Sequence, residues 1–126
     1  MPVYRNIDDF TAGDTYTIIR NLDPLATGAP ITDAWFTVKQ NLTDNDAMAL
    51  ISSHITAAGS QYGYIINSGI GATQITFTVT PALSDTLTTQ ATYFYDICIV
   101  ASQTGESYTV EEGKLFTTRY VRQLLA

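Results

Sequence analysis

Apolar and polar residues alternate along this chain in short runs broken by turn residues, the pattern of β-strands rather than helices. The cleanest run is 73–80 (TQITFTVT), where Ile75, Phe77 and Val79 share one face and Thr76, Thr78 and Thr80 the other. Residues 15–21 (TYTIIRN) set Tyr16 and Ile18 against Thr17 and Ile19. Residues 34–40 (AWFTVKQ) set Ala34, Phe36 and Val38 against Trp35, Thr37 and Lys39. Further strands are predicted over 50–56 (LISSHIT) and 62–66 (YGYII). The stretch 92–118 predicts a β-hairpin whose arms are joined by the polar turn Ser102-Gln103-Thr104-Gly105-Glu106. On its first arm Tyr93, Tyr95, Ile97 and Ile99 form one face; Phe94, Cys98 and Val100 form the other, interrupted by Asp96. A strand apolar on both faces is expected at the centre of a sheet that is covered on both sides.

Breakers divide these runs. Residues 11–14, 23–30, 41–46, 57–60 and 67–69 are predicted turns and loops. Residues 47–50 are helix-prone but too short to stand alone, and 81–87 (PALSDTL) predicts a crossing segment with a single helical turn. About seven to nine short strands with frequent turn signals predict an all-β chain, an antiparallel β-sandwich of immunoglobulin-like size. The antibody-type Cys…Trp…Cys framework is absent. The reading is one domain over 1–126, with a short N-terminal arm (2–10), able to add an edge strand, and an apolar C-terminal arm (119–126); both arms are expected to order on docking to a neighbour.

Composition narrows the function classes. At 126 residues the chain can bury a core without disulfides or metal. Its net charge of −6 argues against nucleic acid and anionic membranes, both of which need a basic footprint. No run approaches a membrane-spanning length, and no leader-like segment is visible, so the expected site of synthesis and assembly is a cytoplasm. The one cysteine, Cys98, excludes an internal disulfide and is expected to be a buried, inert thiol.

The candidate chemistry is thin. His54 is the only histidine, with no orienting acid or nucleophile elbow close in sequence, and reads as a strand residue on a solvated face. Asp44-Asn45-Asp46 resembles half a calcium loop but lacks the glycine and terminal glutamate that such a loop needs. Asp8, Asp9, Asp14 and Asp85 show no spacing suited to acid–base work, and Gly69-Ile70-Gly71-Ala72 joins strands rather than cradling a phosphate. Asp96 reads as a structural carboxylate, satisfied by Arg20, Arg119 or backbone amides. The expectation is therefore no enzyme, no catalytic residue, no metal and no cofactor. Tyr4, Tyr16, Tyr62, Tyr64, Tyr108 and Tyr120 exceed what a small core needs, and tyrosine is enriched at protein interfaces.

Two groups of residues carry a family likeness. The first is Phe10-Thr11-Ala12-Gly13-Asp14-Thr15-Tyr16, then Gly28-Ala29-Pro30-Ile31 and Trp35-Phe36-Thr37-Val38-Lys39. The second is Tyr93-Phe94-Tyr95-Asp96-Ile97, Gly105, Thr109, Gly113-Lys114 and Val121-Arg122. Together they resemble small tailed-bacteriophage virion proteins, in particular the immunoglobulin-like N-terminal module of phage baseplate upper proteins. The resemblance implies a multi-copy accessory subunit of tail, baseplate or neck, or alternatively a decoration (cement) protein of the head, located in the virion. Its implied partners are other virion proteins and copies of itself, without nucleic acid, membrane or small-molecule substrate. The candidate contact residues are Tyr4, Phe10, Tyr62, Tyr64, Tyr120, Leu124 and Leu125. The rival class is a carbohydrate-binding β-sandwich, with Trp35 and a tyrosine as a sugar platform beside Asp44 and Asp46.

Overall fold

The computed structural model describes residues 3–11, 13–22, 31–41, 43–56, 58–59, 61–67, 73–87, 92–101 and 107–118. Its strands are β1 (Val3–Tyr4), β2 (Ile7–Thr11), β3 (Tyr16–Leu22), β4 (Ile31–Lys39), β5 (Ile51–Thr56), β6 (Gly63–Asn67), β7 (Thr73–Val79), β8 (Thr92–Ala101) and β9 (Ser107–Thr118). A larger sheet runs β1-β9-β8-β4-β5, with β2 also paired to β9; a smaller one runs β3-β7-β6. The order β5-β4-β8-β9 against β3-β7-β6 is that of an immunoglobulin-like sandwich.

The core sits between the sheets, on the faces that the alternation marks. Ala34, Phe36 and Val38 of β4 and Ile75, Phe77 and Val79 of β7 are all fully buried. The Phe36 ring links the layers, 5.8 Å from Phe77 across the core and 5.9 Å from Tyr95 within its own sheet. A short helix, α1 (Pro81–Ser84), carries the chain from one sheet to the other, with Thr80 Oγ1 accepting from the Leu83 N–H at its start. Buried Ser84 pins this crossing to the β2–β3 turn: its hydroxyl donates to Asp14 O and accepts from the Gly13 N–H, both at 2.8 Å.

The N-terminal segment is not a free arm. Both β1 and β2 run parallel to β9, so the otherwise antiparallel sandwich acquires a parallel border. Ile7 and Phe10 are 4% and 0% exposed, members of the core. They stand three residues apart, yet both face inward because the register shifts between them. The Arg5 N–H donates to Glu112 O at 2.9 Å, and the Lys114 N–H donates to Asn6 Oδ1 at 3.2 Å. A Cβ on Gly113 would stand 1.8 Å from Arg5 O, so glycine is what lets the first strand lie this close to β9. The predicted C-terminal arm falls outside the described residues.

The strand β8 is central, between β4 and β9. It is covered on one side only among the described residues: Tyr93, Tyr95, Ile97 and Ile99 are buried, whereas Phe94, Asp96, Cys98 and Val100 are half-exposed. Cys98 is therefore not a core thiol; its Sγ lies on the outer face, 3.4 Å from Thr109 Oγ1.

Candidate docking surfaces

The smaller sheet carries an uncovered apolar row. Neighbouring residues on a strand point to opposite faces, so each isoleucine pair, Ile18-Ile19 and Ile65-Ile66, must send one member outward. Ile19 and Ile66 are those members, 51% and 42% exposed, beside Tyr64 at 45%. Register places Ile19, Thr76 and Tyr64 side by side across the three strands. Thr76 is consequently 4% exposed, and its hydroxyl is buried without a hydrogen-bond partner. The row is flanked by Thr17, Thr78 and the Gln74–Asn21 amide pair, and no outward side chain described on this face is charged, in a chain of net charge −6.

Of the contact residues expected from the sequence, Tyr4 is 71% exposed on β1 and Tyr64 belongs to the row just described. Tyr62 is half-buried against the core, and Phe10 lies fully inside it, tilted against Tyr16 at 4.9 Å, so Phe10 is not a surface anchor. Tyr120, Leu124 and Leu125 lie outside the described residues. Ile19, Ile66 and the 51%-exposed Val3 were not anticipated, although the doubled isoleucines are a signal that names two of them.

The internal carboxylate is Glu111, not Asp96. Glu111 stands opposite Ile97 and in step with buried Gly113 and Leu115, where it is 4% exposed; a register shift just before it leaves Thr109 on the outer face. Arg20 on β3 grips it with two bonds, Nε at 2.7 Å and Nη2 at 3.1 Å. Tyr95 Oη lies 2.7 Å from the Glu111 carboxylate and 2.8 Å from Arg5 O, two acceptors for one proton. Arg5 stands farther off, 3.9 Å from Glu111 and half-exposed. Burial, then the hydrogen bond to Glu111, pushes the Tyr95 phenol well above its ordinary range. Burial lowers the Arg20 pKa, but the hydrogen bond and charge of Glu111 outweigh it, and the net shift is upward. The network joins the two sheets and fixes β1 beside them.

The outer face of the larger sheet holds the chemistry-bearing side chains. Trp35 is half-buried there and stacks on His54, with ring centroids 4.5 Å apart and planes 6° apart. His54 Nε2 meets Asp33 Oδ1 at 2.7 Å, and Thr32 Oγ1 donates to Asp33 Oδ2 at 2.8 Å. These bonds, that from His54 first, hold the Asp33 carboxyl below its ordinary pKa. An orienting acid for His54 thus exists after all, brought in by the β4–β5 pairing rather than by sequence proximity. No hydroxyl or thiol among the described residues is bonded to the ring, and Ser53 faces the core. The ring partner of Trp35 is histidine, not the tyrosine that a sugar platform called for. Asp44 Oδ2 accepts from the Asn41 N–H in a turn, and no group of three metal-ligating side chains occurs among the described residues.

No known protein family and no curated protein matches the chain. Among solved structures, one that resembles it is an NK cell receptor described as a triggering partner in natural cytotoxicity. The two share 14% identity over 94% of this chain and 99% of that one, with a TM-score of 0.43. At that distance the fold rests on the strand order itself.

Proposed function

We propose that this protein is a non-enzymatic structural subunit of a tailed-phage particle, docking neighbouring subunits of the tail, baseplate or neck. Decoration of the head is the alternative within the same class. The phage assignment is supported by the sequence resemblance of the N- and C-terminal thirds. The docking role is supported by one observation above all, the uncharged Ile19–Thr76–Tyr64 row with Ile66 beside it. Such a row is better hidden in an interface than in water: each of these half-exposed side chains, on full burial, contributes on the order of 1 kcal/mol. Immunogold labelling of intact and disrupted particles tests the reading. Label on the tail or its tip supports it, label over the whole head selects decoration, and no label on either preparation overturns it.

A further inference from the structure

We propose that the free edge of β3, with the groove beside it, seats an extended acidic segment of a partner protein, which adds to the smaller sheet as a fourth strand. The idea rests on the docking reading and shares Ile19 with that row, but it uses the strand edge rather than the sheet face.

Register identifies the edge. The Thr78 N–H donates to Tyr62 O at 2.9 Å, so Thr78 turns its backbone towards β6. Alternate β7 residues therefore turn towards β3, pairing Phe77 with Ile18 and Ile75 with Arg20. The N–H and C=O groups of Thr17, Ile19 and Asn21 consequently point away from β7. Among the described residues no strand lies on that side, because both N-terminal strands pair with β9 instead. Among the described residues the edge is capped at a single point: Arg20 Nη1 donates to Ile19 O at 3.1 Å. An unpaired row of this kind is a template for strand addition.

Beside it lies a groove of about 290 Å³, whose lining includes Val3, Arg5, Ile19, Arg20, Val110 and Glu111. Val3, Ile19 and Val110 supply an apolar floor for alternate side chains of an incoming strand. The charge selects the occupant. Two guanidinium groups meet one carboxylate, and the closer contacts of Glu111 are taken by Arg20, leaving Arg5 half-exposed at 3.9 Å. A locally cationic groove in a chain of net charge −6 complements an acidic segment. A second copy is disfavoured, since pairing β3 with β3 would bring two Arg20 side chains together. On binding, an incoming N–H takes Ile19 O, and the released Nη1 turns to an incoming carboxylate.

The test is an NMR titration of the ¹⁵N-labelled protein with a short peptide alternating valine and aspartate. A valine–lysine peptide and the valine–aspartate peptide with N-methylated amides serve as comparisons. The expected result is shifts at Thr17, Ile19 and Asn21, with exchange protection of their amides, for the first peptide only. Arg5→Gln, which leaves the Arg20–Glu111 bonds in place, should weaken binding about tenfold. Absence of these shifts, equal binding of the lysine or N-methylated peptide, or self-association through β3 without peptide overturns the proposal. The docking reading is judged separately by particle labelling, so either can fail alone.

Discussion

At the residue scale the most consequential group is Glu111. A buried carboxylate is tolerable only while it is paired and bonded, and breaking such a pair costs about 3–5 kcal/mol. Arg20→Met is therefore expected to lower unfolding free energy by about that much in urea melts. Tyr95→Phe removes one neutral donor and should cost less, about 1–3 kcal/mol. Asp33 gives a pH-dependent counterpart. Its folded pKa lies below the unfolded one, so the stabilisation is present above the ordinary aspartate range and lost as pH falls through the depressed value. Wild type should exceed Asp33→Asn in urea melts at neutral pH, and the difference should vanish on acidification; a constant difference would refute the assignment. The sequence pointed to Asp96 as the internal carboxylate because it interrupts an apolar run. Glu111 sits inward in step with Leu115, but the bulge before it breaks the phase of β9, so an alternation counted from exposed Thr109 puts it outside.

At the element scale most strands were legible. β7 was expected over 73–80 and is Thr73–Val79; β5 was expected over 50–56 and is Ile51–Thr56. These elements alternate strictly, and burial on one face enforces the alternation. The N-terminal segment was legible as an arm able to add an edge strand, but its parallel pairing with β9 and its place in the core were not. Ile7 and Phe10 break the period of two, and parallel pairing with the last strand depends on contacts about a hundred residues apart in sequence. Because Phe10 is a core residue, Phe10→Ala should cost about 3–5 kcal/mol, whereas a docking anchor would leave the isolated protein unchanged. Hydrogen exchange adds a local readout. The Arg5 amide should be protected in the isolated wild-type protein, and Gly113→Ala, which pushes a Cβ into Arg5 O, should abolish that protection while β8 amides stay slow.

At the scale of the whole molecule, the all-β sandwich followed from run lengths and turn spacing, and its immunoglobulin-like order emerged once pairing was known. The docking row was only half legible. Alternation says that Ile19 and Ile66 face outward, but Thr76 and Tyr64 become their neighbours only through the β3-β7-β6 register. The net charge of −6 sets long-range repulsion between copies, and the uncharged row adds no close like-charge contact to it. The most direct test of this account is incorporation of an Ile66→Asp/Tyr64→Asp variant into particles, in competition with wild type, after its fold has been verified by circular dichroism and thermal melting. Both side chains are about half exposed, so the substitutions should spare the fold. The account predicts wild type in the particles and the variant left behind; equal incorporation of a folded variant, or absence of wild type from the particles, would contradict it.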